Sequence, residues 1–140
     1  MKHALFTADA DLEIPFQDLD PMDVAWHGNY FRYFEAARVV LLRRIDYDYP
    51  QMQASNYMWP IIEARVRYAQ PLQYAQQIRV TAGLMEWENR LKIAYRIVDR
   101  ASGKRVTSGH TIQCAVRVDT RELQLVSPPA LLDRLKPYLT

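Results

Sequence analysis

The chain has 140 residues, of which 49% are apolar and 24% charged, and a formal net charge of +2. These values predict one ordered globular domain spanning residues 1–140 and exclude a disordered chain, and the charge is too small to indicate a nucleic-acid partner. The single cysteine, Cys114, excludes an intramolecular disulfide. No apolar run approaches the roughly 18 residues of a membrane span. Residues 1–11 are too acidic and their apolar run is too short for a secretory signal, so we expect a cytoplasmic protein.

A strand is predicted first, over residues 10–17. Apolar side chains recur there with a two-residue period, at Leu12, Ile14 and Phe16. Pro15 has no N–H to donate to a ladder, which predicts an edge strand or a bulge. The segment DLDPMD at 18–23 is rich in carboxylates, and Pro21 stops any helix from running through it. We therefore expect an acidic turn just ahead of the next element.

A long helical pattern covers residues 29–45. Its apolar residues recur at spacings of three and four, at Tyr30, Phe34, Ala37, Leu41 and Ile45. Others widen the apolar sector over most of the circumference, namely Phe31, Tyr33, Val39, Val40 and Leu42. A helix this apolar must be largely wrapped, either by a curved sheet or by a partner subunit.

From Trp59 onward the apolar period changes to two. Antiparallel strands in a meander are predicted over residues 59–71, 76–87, 91–97 and 106–118. Gly83 predicts a bulge in the second of them. Residues 46–58 are predicted as a loop and residues 129–138 as a short helix. This order indicates the α+β class, with a curved antiparallel sheet wrapped around one long central helix.

The acidic turn and the helix start together indicate chemistry at a carbonyl group. Unpaired N–H groups and the dipole at a helix N-terminus favour negative charge. Such a terminus can hold a carbonyl oxygen as it becomes an oxyanion, while a nearby carboxylate attacks or activates water. The alternative for Asp20 is a carboxylate that only shapes the turn or caps the helix. For Asp18 and Asp23 we expect turn or solvent-facing acids.

For the other ionisable candidates, the sequence predicts structural roles and not catalytic ones. His110 lies alone on an apolar parity, which predicts a hydrogen-bonded core histidine. Cys114 lies in mid-strand, which predicts a buried packing residue. The three histidines lack the spacing of metal ligands, so no metal site is predicted.

The segment DLDPMDVAWHGNYFRYFEAAR at 18–38 resembles the signature of the 4-hydroxybenzoyl-CoA thioesterase branch of the hotdog-fold acyl-CoA thioesterases. The segment RVRYAQPLQYAQQIRV at 65–80 resembles that family's second strand, turn and third strand. The resemblance implies hydrolysis of an acyl-CoA, or of an acyl-carrier-protein thioester, to the free acid and thiol. No metal or redox cofactor is needed, since CoA enters as part of the substrate. The resemblance also implies a homodimer or homotetramer with the active site between subunits.

The resemblance implies that Asp20 corresponds to the family's catalytic carboxylate. It also implies that His27 occupies the position where the family has His or Tyr. The backbone N–H groups of about His27 and Gly28 are then expected to polarise the thioester carbonyl, while the role of the His27 ring stays open. The aromatic residues expected to contact the acyl group are Trp26, Tyr30 and Trp59.

Other functions on the same scaffold stay open. The carboxylate would do the same work in a carrier-protein thioesterase of a biosynthetic pathway. A non-catalytic acyl-binding module is a second alternative. A hotdog dehydratase ranks below both, because the sequence has no H-F-P-x-H-P-x-x-P-G pattern.

Overall fold

The computed structural model describes residues 1–139. Its strands are β1 (Thr7–Glu13), β2 (Tyr57–Met58), β3 (Ile61–Tyr68), β4 (Gln77–Glu86), β5 (Leu91–Asp99), β6 (Arg105–Gln113) and β7 (Val116–Arg117). Its helices are α1 (Tyr30–Arg44), α2 (Tyr49–Ala54) and α3 (Pro129–Leu135). Short 3-10 helices lie at Phe16–Asp18, His27–Asn29 and Lys136–Tyr138. The predicted α+β class is confirmed.

A five-stranded antiparallel sheet wraps around α1 in the order β1-β4-β5-β6-β3. Strands β1 and β3 are its two edges, so the edge position predicted from Pro15 is confirmed. The meander prediction is wrong for β3, because β3 pairs with β6 and not with β4. Residues 69–76 carry the chain from the β3 edge across to β4, which lies beside the other edge.

The buried face of α1 lies against this sheet and matches the predicted apolar spacing. The residues of this face that are at most 2% exposed are Tyr30, Phe34, Ala37 and Leu41. The Phe34 ring stacks on Tyr95 of β5, with ring centroids 4.4 Å apart. A Cβ on Gly109 of β6 would lie 2.8 Å from the Phe34 ring, so a glycine is required for helix and sheet to approach this closely. Burial of a side chain such as Phe34 stabilises the fold by about 1.5–3 kcal/mol.

The first strand begins and ends earlier than predicted. It stops at Glu13, before Pro15, because the chain then turns into the 3-10 helix Phe16–Asp18. Phe16 therefore leaves the strand and is 73% exposed, although its parity predicted a buried side chain.

The segment predicted as a loop over residues 46–58 contains α2. Asp48 and Gln51 form a capping box, in which the N–H of Asp48 donates to Oε1 of Gln51 at 3.0 Å. This spacing of an N-cap acid and a glutamine three residues later is visible in the sequence and was the missed signal.

Two predictions on the later strands are wrong. The last strand ends at Gln113, and β7 then pairs with β2 in a separate two-stranded ribbon. The register shift in β4 lies between Leu84 and Glu86 and not at Gly83. Gly83 instead allows a close approach of the N-terminal segment, since a Cβ there would lie 2.6 Å from the sulfur of Met1.

The predicted C-terminal helix is confirmed as α3. Leu131 and Leu135 on this helix are fully buried and extend the core. Within residues 1–139, no helix has the length and apolar character needed to cross a membrane.

Candidate active site

The acidic turn folds back on itself as a tight hairpin ahead of α1. Leu19 and Ala25 form an isolated antiparallel bridge, and the N–H of Asp20 donates to the Val24 carbonyl at 2.9 Å. Asp23 takes a φ of 63°, a left-handed conformation that aspartate adopts more readily than most residues. The hairpin thereby fixes the backbone position of Asp20.

The Asp20 carboxylate is half-buried in this hairpin. Its Oδ1 accepts a hydrogen bond from the N–H of Met22 at 2.8 Å, the usual contact of an aspartate that shapes its own turn. Its Oδ2 accepts no hydrogen bond from any residue in the range 1–139. One carboxylate oxygen is thus anchored while the other is available.

The hairpin ends at the start of the helix. The N–H of Trp26 donates to the Asp18 carbonyl at 2.9 Å, which joins the two segments. In the following 3-10 turn, the N–H groups of Asn29 and Tyr30 bond to carbonyls within the turn. The N–H groups of His27 and Gly28 have no acceptor in the part of the chain that the structure describes. Two backbone donors are therefore free at the end where the dipole of α1 favours negative charge.

The indole of Trp26 covers Gly28. A Cβ on Gly28 would lie 2.5 Å from Cη2 of this indole, so a larger residue would displace the ring. Trp26 is half exposed, and its ring lies 5.1 Å from the exposed His27 imidazole. These two neighbouring rings form an exposed aromatic surface beside the helix start.

Tyr30 forms the buried side of the same region. It is 2% exposed, and its ring packs edge-on against Tyr68 with centroids 4.8 Å apart. Burial raises the pKa of Tyr30; the nearby backbone amide of Leu72 opposes this rise, and the charge of Asp20 adds to it. The predicted candidates Asp20, Trp26, His27, Gly28 and Tyr30 are therefore brought together.

Sequence reasoning missed Tyr68 at the end of β3. Its hydroxyl donates to the carbonyl of His27 at 2.9 Å, which ties the edge strand to the helix start. The alternation along this strand predicted that Tyr68 lies on its apolar face. Nothing in the sequence indicated its contact with His27, which is far away in the chain.

Asp18 is buried, so the expectation of a turn or solvent-facing acid is wrong. It is 3% exposed, and its Oδ2 accepts a hydrogen bond from the Tyr33 hydroxyl at 2.7 Å. The Arg32 guanidinium lies 2.6 Å from the same oxygen. Burial, followed by the hydrogen bond to Asp18, raises the pKa of Tyr33 well above its usual range. The missed signal was a tyrosine and an arginine in the first turn of the helix, both within reach of the acidic turn.

Trp59 does not join the other candidates within one chain. It lies beside the C-terminal half of α1 and is 6% exposed. Its indole N–H donates to the hydroxyl of Tyr47, a residue that follows the end of α1, at 3.1 Å. Trp59 instead lines a separate groove with Arg38 and Leu42.

His110 is hydrogen-bonded as predicted but is not in the core. Its Nε2 lies 2.8 Å from Oε2 of Glu63 on β3, and this bond lowers the pKa of the glutamate. His110 faces away from α1, because its neighbour Gly109 faces Phe34. Cys114 is half-buried. Among residues 1–139, no three His, Cys, Asp or Glu side chains are grouped so that they could hold a metal ion.

Known proteins share this sequence pattern. The model of the thioesterase-like superfamily matches residues 14–135. A Bacillus subtilis protein, provisionally named acyl-CoA thioesterase YneP, is 24% identical over 85 residues, which cover 61% of this chain and 61% of that protein.

Solved structures share the architecture. DHNA-CoA thioesterase from Staphylococcus aureus is similar with a TM-score of 0.79 and 24% identity, over 94% of this chain and 84% of that chain. A variant of 4-hydroxybenzoyl-CoA thioesterase complexed with 4-hydroxybenzoyl-CoA is similar with a TM-score of 0.79 and 15% identity, over 91% and 97% of the two chains. These likenesses confirm the predicted hotdog fold.

The superfamily match covers the acidic hairpin, all of α1 and every strand of the sheet except β1, which lies entirely ahead of it. The predicted resemblance is therefore confirmed at the level of family and fold. The chain belongs to the thioesterase-like superfamily and has the hotdog fold of its solved relatives.

Proposed function

We propose that the protein hydrolyses acyl-CoA thioesters, with Asp20 as the reacting carboxylate and the N–H groups of His27 and Gly28 as oxyanion donors. The strongest support comes from the position of Asp20. Its Oδ2 accepts no hydrogen bond within residues 1–139, and its hairpin is hydrogen-bonded to a helix start that has two free N–H donors. A thioester has a good leaving group, so these groups suffice for the chemistry.

In the general-base route, Asp20 removes a proton from a water molecule as the water oxygen attacks the thioester carbon. The developing oxyanion accepts hydrogen bonds from the backbone donors at the start of α1. The intermediate then collapses, the carbon–sulfur bond breaks, and the thiolate of CoA leaves and takes up a proton. In the nucleophilic route, Oδ2 itself attacks the thioester carbon, the carbon–sulfur bond breaks and the CoA thiolate leaves and takes up a proton. Water then hydrolyses the acyl–Asp20 anhydride, which releases the acid and restores the carboxylate. The half-exposed Trp26 supplies apolar surface for the acyl group beside the reacting carbon, whereas Tyr30, at 2% exposure, supports the helix start from the core and is not expected to contact the acyl group.

A second copy of the chain completes the proposed enzyme. Strand β3 has one free edge, and its apolar residues Ile61 and Ile62 are 46% and 58% exposed. Phe31 on α1 is 41% exposed. An exposed apolar edge strand is a surface that native proteins cover or pair. We therefore place the homodimer contact along β3; a homotetramer would need a further surface.

The names of the solved relatives include thioesterases for DHNA-CoA and 4-hydroxybenzoyl-CoA. Aromatic acyl-CoAs therefore belong in the first substrate panel, beside short and long aliphatic ones. Each acyl group is also offered as a carrier-protein thioester, because Asp20 would perform the same reaction on either.

The test compares wild type with Asp20→Asn, and with Asp23→Asn as the matched control in the same hairpin. Asp23 is exposed and makes no side-chain hydrogen bond within residues 1–139. Thiol release should fall about 100-fold or more in Asp20→Asn, in the range of a lost catalytic base, and stay near wild type in Asp23→Asn. Both variants should keep the wild-type circular dichroism and oligomer size. Full activity of Asp20→Asn overturns the assignment, and tight acyl-CoA binding without any turnover favours the acyl-binding module.

A further inference from the structure

The side of the sheet that faces away from α1 carries a row of arginines. Gly109 of β6 faces the Phe34 ring of α1, so its neighbour Ser108 faces away from the helix. Ser108 lies opposite Arg67 of β3 and opposite Arg96 of β5. Residues that lie opposite each other on neighbouring strands share one face of the sheet, so the two arginines flank Ser108.

Two further arginines enlarge this row. Arg65 lies opposite His110 on the same face, and Arg105 of β6 lies opposite Val98 of β5. The surface here has two adjoining depressions, of about 600 and 270 Å³, and Ser108 lines both of them. We call the four cations the arginine patch, which consists of Arg65, Arg67, Arg96 and Arg105.

The arginine patch has no counter-charge of its own. The carboxylates on this side of the sheet have other partners, namely Arg79 and Arg100 for Asp11, His110 for Glu63, and the Thr81 hydroxyl for Asp9. None of the four arginines forms an ion pair or a side-chain hydrogen bond with any residue in the range 1–139. Neighbouring like charges on a sheet repel each other, so the patch is suited to an anionic partner.

The shape of the patch indicates a large partner. Arg65 and Arg67 are exposed on an open face of the sheet, whereas small-molecule sites enclose most of their ligand in a concave pocket. A guanidinium grips a carboxylate with two parallel N–H donors, a geometry that adsorption to a charged lipid surface does not need. Arginine is also enriched at protein interfaces. The patch therefore favours an acidic protein, and a second copy of the same face would oppose arginine to arginine.

We propose that the arginine patch docks an acyl carrier protein, a small acidic protein that would bring the thioester to Asp20 on its pantetheine arm. Arg67 immediately precedes Tyr68, whose hydroxyl donates to the carbonyl of His27 at 2.9 Å. The end of β3 that carries the patch therefore lies beside the helix start, and a flexible arm can pass around it. Delivery of the thioester rests on the function proposed above, whereas docking rests on the patch alone.

The homodimer proposed above would keep the patch accessible. Strands pair through their backbones, so the side chains of Arg65 and Arg67 would still project from the outer face of the joined sheet. A two-fold contact brings the same strand of both copies together. The two patches would then adjoin across the dimer and would attract an acidic partner more strongly than one patch alone.

The experiment compares one acyl group on two carriers, CoA and a purified bacterial acyl carrier protein. The acyl group is the one that wild type releases fastest from CoA. Arg67→Glu and Arg96→Glu should each lower kcat/KM for the carrier-protein thioester about 10-fold or more, mainly through KM, because each places a carboxylate against an acidic partner. Their activity on the acyl-CoA should stay near wild type.

Arg121→Glu is the matched control. Arg121 is an exposed arginine after β7, outside the patch, and it has no ion pair among residues 1–139. The same reversal of charge there should leave the kinetics of both thioesters near wild type. Circular dichroism confirms that each variant is folded, and the exposed position of Arg67 makes its replacement the milder of the two patch changes.

Three kinetic results overturn the docking proposal. They are unchanged kinetics of both patch variants on the carrier-protein thioester, an equal loss on the two substrates, and hydrolysis of the acyl-CoA alone by wild type. In each case, hydrolysis of the acyl-CoA that depends on Asp20 leaves the proposed function intact.

If neither thioester is hydrolysed, titration calorimetry with the holo-carrier protein tests docking without catalysis. Binding that is lost in Arg67→Glu and kept in Arg121→Glu supports the proposal, whereas absence of binding overturns it. Sedimentation with phosphatidylserine vesicles is the second measurement. Binding to these vesicles without binding to the carrier protein overturns the proposal in favour of a lipid surface.

Discussion

The Tyr33 hydroxyl donates a 2.7 Å hydrogen bond to the buried carboxylate of Asp18 and so ties the acidic hairpin to the first turn of α1. Two further contacts strengthen this junction. The Arg32 guanidinium pairs with the same carboxylate, and the side-chain amide of Asn29 donates to the Asp18 carbonyl at 2.9 Å. Asp18 therefore holds the segment that carries Asp20 against the free N–H groups at the helix start.

Replacement of Asp18 should impair both stability and turnover. Asp18→Asn removes the charge that pairs with Arg32 and weakens the bond from Tyr33, so the free energy of unfolding should fall by about 1.5–3 kcal/mol. The rate should fall about 10-fold, because small displacements of a reacting group are costly. Urea unfolding and thiol release measure the two effects. Tyr33→Phe, which removes one hydrogen bond, should lose about 1 kcal/mol, and wild-type stability of Asp18→Asn would contradict this role.

The elements predicted well are those whose signal is local. The period of α1 and the alternation of β5 each follow from burial on one face, and both elements form near the expected residues. The partner of β3 was predicted wrongly because strand pairing joins residues far apart in sequence, and alternation does not say which neighbour a strand takes. The helix α2 was missed although its capping box is a local signal.

The site shows the same difference between residues that are close in sequence and contacts between residues that are far apart. Asp20, His27 and Gly28 are near neighbours in the chain, so the motif and the helix start were enough to group them. Tyr68 reaches the carbonyl of His27 across 41 residues, a contact that depends on how β3 lies against α1. Trp59 was grouped with the helix start on its residue type alone, and the structure places it beside the other end of α1.

Gly28→Ala should lower activity by forcing the Trp26 indole away from the helix start. We expect a loss of about 10-fold in kcat/KM, since a site displaced by even 1 Å loses much of its rate. The steric cause predicts rescue: Trp26→Leu alone, which keeps an apolar side chain beside the acyl group, should lose less activity than Gly28→Ala, and the double variant should be more active than Gly28→Ala. Purely additive losses in this double-mutant cycle would contradict the clash.

Tyr68→Phe should loosen the helix start without unfolding the protein. The variant loses the hydrogen bond from the Tyr68 hydroxyl to the His27 carbonyl but keeps the ring that packs on Tyr30. We expect a loss of about 0.5–1.5 kcal/mol in stability and a decrease in kcat larger than the change in KM. Tyr74→Phe is the matched control, because Tyr74 is 60% exposed and its hydroxyl makes no hydrogen bond within residues 1–139. Equal kinetics for the two variants would exclude a role for the Tyr68 hydroxyl.

The ion pair between Arg117 and Asp119 should make a small contribution to stability that depends on pH. The bidentate hydrogen bond from Arg117 lowers the pKa of Asp119 from 3.8 to about 2. A lowered pKa in the folded state means that the unfolded chain binds the proton more readily. The stabilisation is therefore fully present above about pH 4 and is lost as the pH falls from 3.8 to about 2. Asp119→Asn should lower Tm slightly at pH 7, and the difference from wild type should shrink towards zero near pH 2. A difference in Tm that stays constant down to pH 2 would show that the charge of Asp119 is not the source of its effect.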